Sequence, residues 1–262
     1  MPTKKLRPTQ NRVICMSNND STKWTSSDDK FVLYMDIMGF KERVNKSDFS
    51  DLQGEFINLC TNWKNRIKPL MKGNHLDYYQ FSDSIILTTD KADSQTLNII
   101  IRAAATIMQE SMLLKFPING VLAKGQFSFD KTNQLFFGKA LVEAYLLQTS
   151  LFYYGVVLHP NTDSDIECFL SSDDTKYKKT GLLLERMPIP LKGGNADYYQ
   201  ICWGCLSKKN DIQDNNTACL DSLEKIEQGT TGNPRIYVAN TRKMLLENQK
   251  KINSQNHLRA GG

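Results

Sequence analysis

Two aspartates carry the chemistry that this sequence can offer. Asp36 closes an apolar run, Phe31-Val-Leu-Tyr-Met-Asp-Ile-Met-Gly-Phe40, and stands just before a glycine-containing turn. Asp83 lies in Leu76-Asp-Tyr-Tyr-Gln-Phe-Ser-Asp-Ser-Ile-Ile-Leu87, at a tight turn between two strand-like runs. Two carboxylates brought within a few ångströms repel each other, and one takes up a proton unless a cation lies between them. A divalent ion removes that conflict, and hard oxygen ligands select magnesium or manganese. Magnesium binds one or two carboxylates and completes its shell with phosphates and water. Asp36 and Asp83 are therefore expected to meet on adjacent strands and to hold metal beneath a nucleoside triphosphate. Two such ions, about 4 Å apart, polarise both an attacking hydroxyl and a leaving phosphate. The N–H groups of Ile37, Met38, Gly39 and Phe40 form the kind of turn that cradles phosphate oxygens, and a lysine would complete the anchor.

Composition narrows what else the chain can do. It has 262 residues, 40% of them hydrophobic and 10% aromatic, with a formal charge of +5. That supports a sizeable core in one large domain or two small ones. So mild a charge, spread along the chain without an aromatic-interleaved basic stripe, tolerates an anionic ligand but forms no nucleic-acid groove. No apolar run reaches membrane-spanning length, and no apolar segment follows the basic residues at 4–7, so neither a membrane span nor a secretory signal is expected. The expected location is the cytoplasm. Six cysteines, Cys15, Cys60, Cys168, Cys202, Cys205 and Cys219, are scattered. The one close pair, Cys202-Trp-Gly-Cys205, is a weak metal or redox signal without a second pair or histidines, and a strand end in a reducing compartment accounts for it. His75, His159 and His257 are the only histidines, which leaves little for histidine-based catalysis.

The elements that must position the aspartates follow from periodicity. Residues 1–29 are polar and read as an arm, within which 13–16 could add an edge strand. A strand over 31–35, apolar on both faces, suits the centre of a sheet. A helix over 51–71 carries Leu52, Phe56, Leu59, Trp63, Ile67 and Leu70 at helical spacing, with Asp48 or Ser50 as its cap. A hairpin follows, 76–81 and 84–88 about Ser82-Asp83, then a helix over 94–115 that Pro117 stops. Residues 118–129 form a strand whose Gly120 and Gly125 signal close backbone approach. Residues 135–147 lead from strand through Gly138 into helix, and 154–158 form another strand. This order is the split βαβ pattern of a ferredoxin-like α+β domain. Strands over 182–188 and 198–203, a polar linker over 206–216, helices near 217–228 and 234–250, and a frayed tail after Lys251 complete the chain. The expected divisions are an arm over 1–29, a catalytic domain over 30–205 and a helical extension over 206–262 on the same domain.

From Phe31 to Trp203 the sequence resembles the class III nucleotidyl cyclases. The likeness lies in the strand ending Met35-Asp-Ile-Met-Gly-Phe40, in Ser82-Asp83 at the hairpin turn, and in Leu191-Lys-Gly193. The resemblance implies that Asp36, Asp83 and the carbonyl of Ile37 ligate two Mn2+ or Mg2+ ions, and that Lys192 meets the triphosphate. It also implies a homodimer with active sites at the interface. Three family features are missing. Tyr79 stands where purine-specific members have lysine. Leu135-Phe-Phe precedes Gly138 where they have an acidic residue. Val142 and Leu146 occupy the places of an Asn and an Arg that stabilise the reacting phosphate. Lys124 and Lys139 are the nearest cations to replace that arginine. Gly138-Lys-Ala-Leu-Val-Glu-Ala-Tyr145, Pro190-Leu-Lys-Gly-Gly194, Tyr198-Tyr199 and Arg235-Ile-Tyr-Val-Ala-Asn240 resemble the pyrimidine cyclase (Pycsar) branch of bacterial anti-phage defence. That branch makes cyclic UMP or cyclic CMP, which a separate effector senses. An aromatic such as Tyr79 suits a smaller base. A nucleotide-binding dimer without turnover, and a purine cyclase with an atypical base pocket, are the alternatives.

Overall fold

A computed structural model describes residues 24–260 apart from 74, 131 and 206–213, with backbone alone at 176, 214, 215 and 251–260. The strand β1 (Asp29–Ile37) lies between β3 (Ser84–Thr89) and β4 (Ile118–Asp130) and runs antiparallel to both. β3 and β4 are therefore parallel, joined through α3 (Ser94–Leu113), with β1 inserted between them. That is the expected split βαβ core. β2 (Leu76–Phe81) pairs with the outer side of β3, and β5 (Leu135–Gly138) pairs with β4. β6 (Val156–Leu158), β8 (Gly194–Ile201) and β7 (Leu184–Leu191) extend the sheet beyond β4, giving eight strands among the described residues.

The central place of β1 follows from its side chains. Phe31, Leu33, Met35 and Ile37 are buried in the main core with α2 (Phe49–Ile67) and α3. On the other face Val32 is buried and Tyr34 half-buried. α2 starts at Asp48, whose carboxylate accepts from the N–H groups of Ser50 and Asp51. It buries Leu52, Leu59, Trp63 and Ile67, and Trp63 Nε1 donates to Ser111 Oγ at 3.0 Å. α3 starts with a capping box between Asp93 and Thr96. A short helix, α1 (Phe40–Lys46), fills the gap before α2 and is too brief to show a period in the sequence.

α4 (Lys139–Ser150) covers part of the second face and buries only Ala140, Ala144 and Gln148. Gly138 is required at its entry, because a Cβ there would collide with the carbonyl of Gln126 and the Cα of Phe127. Gly120 serves the sheet in the same way: a Cβ would lie 2.6 Å from the carbonyl oxygen of Tyr34. β7 and β8 form one hairpin closed at Lys192-Gly193, longer and tighter than the two separate strands expected. Between β6 and β7 stand α5 (Asp163–Leu170) and α6 (Thr175–Gly181). α7 (Asp214–Gln228) and α8 (Asn233–Ala260) follow, and α8 runs on through the stretch expected to fray. Leu223, Val238 and Leu245 join the same core cluster as β1 and α3. Thr241 Oγ1 accepts from the Tyr154 N–H at 2.8 Å, which ties α8 to the lead-in of β6. No described helix is long and apolar enough to cross a membrane. The edge strand expected over 13–16 and most of the linker lie outside the described residues.

Candidate active site

Asp36 is the last but one residue of β1. The register sets it opposite Ser84 on β3 and opposite Asn119 on β4. Directly opposed residues of antiparallel strands share a face. Ser84, Asp36 and Asn119 thus form a polar row across three strands, on the face that carries Val32 and Tyr34. Ser84 Oγ donates to Asp36 Oδ1 at 3.1 Å. The Tyr34 hydroxyl lies 3.0 Å from Ser84 Oγ, and since Ser84 spends its proton on Asp36, Tyr34 is the donor there. The ring of Tyr34 meets that of Tyr145 on α4 edge-on, at 5.6 Å between centroids. On the far side of the row, Gln148 Nε2 of α4 donates to Asn119 Oδ1 at 2.8 Å.

Asp83 reaches the row through its turn. Ser82 adopts a left-handed φ of 53°, which lets two residues reverse the chain between β2 and β3. The carbonyl of Asp83 then accepts from the Ile37 N–H at 3.0 Å, fastening the turn to the end of β1. The consequence is electrostatic. The carboxyl of Asp36 is pushed up from 3.8 to about 6, first by burial and then by the charge of Asp83, with the Ser84 hydrogen bond opposing. No described lysine, arginine or histidine forms an ion pair with either aspartate.

These residues fit a divalent ion. Two half-buried carboxylates repel without a cation of the chain between them, which is the conflict that a metal removes. No described group of three His, Cys, Asp or Glu side chains could hold an ion by itself. A shell built on Asp36 and Asp83 would thus need a main-chain oxygen, the part expected of Ile37, together with water and the phosphates of a ligand. Ser84 holds Asp36 Oδ1 and leaves Oδ2 without a hydrogen bond among the described residues. Ser84→Ala should weaken Mn2+ binding about 10-fold, as loss of an outer partner of a ligand does, and titration calorimetry at pH 7.5 checks it.

Other expected site residues are placed less uniformly. Of the four turn N–H groups, two are already engaged: Ile37 donates to Asp83, and Met38 donates to the Pro117 carbonyl at 2.8 Å. The phosphate cradle expected over Ile37–Phe40 therefore shrinks to the N–H groups of Gly39, at a left-handed φ of 74°, and Phe40. Lys124 is not brought to the aspartates within one chain. It lies five residues along β4 from Asn119 and, by alternation, on the other face, where its Nζ contacts both oxygens of Asp165 at 2.8 and 2.9 Å. Lys139 stands at the far end of α4, beside Glu143. Lys192 lies at the β7–β8 turn against the C-terminus of α4, donating from Nζ to the Thr149 carbonyl at 2.6 Å. Tyr79 shares the face of Asp36 but packs its ring against Phe129 and Phe136, at 5.3 and 4.9 Å. Val142 and Leu146 are exposed on α4, at 56% and 59%. Sequence reasoning passed over Tyr34, Ser84, Asn119 and Gln148. Alternation from Asp36 points to Tyr34, and Ser84 adjoins Asp83, but Asn119 and Gln148 become visible only once register and helix docking are known.

No family model matches the chain, and no curated protein sequence matches it. Its backbone is similar to that of several solved cyclase structures. One is the guanylyl cyclase domain of the RhoGC fusion protein from the aquatic fungus Blastocladiella emersonii, at 13% identity and a TM-score of 0.48, over 68% of this chain and 97% of that one. Another is an adenylate cyclase from Trypanosoma brucei, at 8% identity and a TM-score of 0.42, over 72% and 92%. A third is a class III adenylyl cyclase-like ATP-binding protein from Pseudomonas aeruginosa, at 13% identity and a TM-score of 0.38, over 86% of this chain and 44% of that one.

Proposed function

We propose that this chain is a metal-dependent pyrimidine nucleotide cyclase, converting UTP or CTP to the 3′,5′-cyclic monophosphate and pyrophosphate. The observation that carries the reading is the approach of Asp83 to Asp36 at the end of β1, with Asp36 pushed up to about 6 by burial and then by the charge of Asp83. When bound, Mn2+ or Mg2+ would lower the pKa of the ribose 3′-hydroxyl and offset charge on the leaving pyrophosphate. The chain supplies the rest. Asp36 and Asp83 hold ions on the open side of the polar row, and Ser84 and Tyr34 keep the Asp36 carboxylate from turning. The N–H groups of Gly39 and Phe40 face the phosphates. The 3′-oxygen attacks the α-phosphorus, its proton leaves to solvent, and the bond to the β-phosphate oxygen breaks with its electron pair on pyrophosphate.

The choice of pyrimidine rests on what occupies the base-reading positions. Tyr79 is committed to an aromatic cluster and Leu135-Phe-Phe supplies no carboxylate, so neither purine contact of the resembled family is available. The cyclic product would act as a second messenger in anti-phage defence, read by a separate effector in the cytoplasm. Exposed Val142, Tyr145 and Leu146 on α4 suit burial against a second copy of the chain. Leu146→Glu is expected to shift sedimentation from dimer to monomer and to reduce turnover. A nucleotide-binding dimer without turnover is the second reading, favoured by the uncharged Val142 and Leu146. Incubation with Mn2+ and each of the four ribonucleoside triphosphates, with the cyclic product identified by mass, tests both. Cyclic UMP or cyclic CMP supports the proposal. A purine product overturns the base choice, and bound but uncyclised triphosphate supports the second reading.

A further inference from the structure

The polar row contains one group that the metal has no use for. Asn119 stands opposite Asp36 in the β1–β4 register, yet it is only 1% exposed. Central strand positions favour apolar residues, and a buried carboxamide has to be satisfied. Half of this one is, because its Oδ1 accepts from Gln148 Nε2. That bond decides which end of the amide is which. Oδ1 faces α4, and Nδ2 is left with no described acceptor. Nδ2 is nevertheless not among the sealed, unpartnered atoms, so the small accessible area of Asn119 lies at its donor. A fixed N–H donor thus keeps a small accessible area on the face, and at the strand level, of the metal-binding carboxylate.

We infer that Asn119 donates from Nδ2 to a non-bridging oxygen of the reacting phosphate, and that Gln148 is the positioning residue which aims it. The inference rests on the cyclase reading. Negative charge grows on those oxygens during attack, and a donor already held in place stabilises it without reorganisation. Cations of the same chain are engaged elsewhere, Lys124 with Asp165 and Lys192 with the Thr149 carbonyl. A neutral amide also brings no positive charge against the ions at Asp36. Tyr34 and Ser84 cannot serve, since their protons are spent within the row.

The test compares the full chain with Asn119→Ala, Asn119→Asp and Gln148→Ala. The aspartate variant keeps an acceptor for Gln148 and replaces the donor by a carboxylate opposite Asp36, while Asn119→Ala removes the donor without adding charge. Measurements are kcat and KM with Mn2+ and the preferred triphosphate, binding of its 3′-deoxy analogue, and the melting midpoint. Both Asn119 variants should lose about 10²-fold in kcat, the usual cost of one such donor. In Asn119→Ala analogue binding should stay within about threefold, because the contact strengthens only as charge develops. Gln148→Ala should lose about 10-fold in kcat, since Asn119 survives but is no longer aimed. A merely structural pair would lower the melting midpoint and leave kcat per folded molecule unchanged. Folded Asn119→Asp at parental kcat overturns the inference, as does parental kcat in Gln148→Ala should both Asn119 variants fail to fold. A parent chain that cyclises no triphosphate overturns the cyclase reading and this inference with it.

Discussion

Asp36→Asn is expected to leave a chain that folds, cyclises nothing measurable and, free of metal at pH 7.5, melts above the parent. The activity loss follows from charge. A metal that stabilises a phosphoryl transition state is worth several kcal/mol, so losing it costs on the order of 10³-fold in kcat or more. Asp83→Asn should lose a comparable amount, because the second carboxylate brings the other half of the negative charge. The stability gain has a separate cause. Moving the Asp36 carboxyl from its ordinary value to about 6 means that, ionised, it opposes folding. That cost is about 3 kcal/mol at full value, and solvent screening of a half-buried group lowers it to about 1–2 kcal/mol. Asparagine keeps the acceptor for Ser84 and removes the charge, so the metal-free protein regains that amount. Calorimetry on the metal-free variant, with cyclic product measured beside it, checks both halves. An aspartate that only capped a turn would show the reverse, a loss of stability with activity unchanged.

Much of the fold was legible because its signals are local. The β2–β3 hairpin about Ser82-Asp83 and the helix that Asp93 starts appear within a residue or two of their expected bounds. The places of Asp36 and Asp83 in the fold, a strand end and a hairpin turn, were legible for the same reason: each sits where an apolar run meets a turn. What the row needs besides them was hidden, because it depends on pairing. Asn119 looks like one polar residue in an apolar strand until β4 is set against β1, and the pairing of Gly120 with Met35 fixes that register. Gln148 looks like a surface residue of α4 until the helix docks. The lysines failed the other way. Lys124 is close to Asn119 along the chain, but an odd number of steps along a strand puts it on the opposite face. In the turn, Ile37 and Met38 offer donors by sequence, but the hairpin carbonyl and Pro117 take them first. Backbone donors near a strand end are claimed by the sheet before any ligand arrives.

Metal and proton compete for Asp36, and the competition should cancel the pH dependence that this group gives to stability. In the metal-free chain the folded carboxyl titrates near 6 and the unfolded one near its ordinary 3.8. Its folded pKa is raised, so the stability it contributes is fully present below the unfolded value and is lost as pH rises from about 4 through 6. With Mn2+ that slope is offset, because the ion binds the ionised folded form and its contribution rises over the same pH range. Above about pH 6 the affinity is level, and below it the affinity falls about tenfold per pH unit as the proton displaces the ion. At Mn2+ a hundredfold above its dissociation constant at pH 8, the ion adds about 2.7 kcal/mol; at pH 5 the same concentration adds about 1.4 kcal/mol. For a chain of this size that is a melting shift of about 5–10 °C at pH 8, falling to roughly half at pH 5. Thermal scans at pH 5, 6, 7 and 8, with and without Mn2+, measure the difference directly. Asp36→Asn should show neither slope: no Mn2+ stabilisation at any of these values, and no loss of metal-free stability between pH 5 and 7 from this group. A parent chain whose Mn2+ shift is the same at pH 5 and pH 8 would mean that the ion binds somewhere other than Asp36, and the assignment of the polar row as the catalytic centre would fall with it.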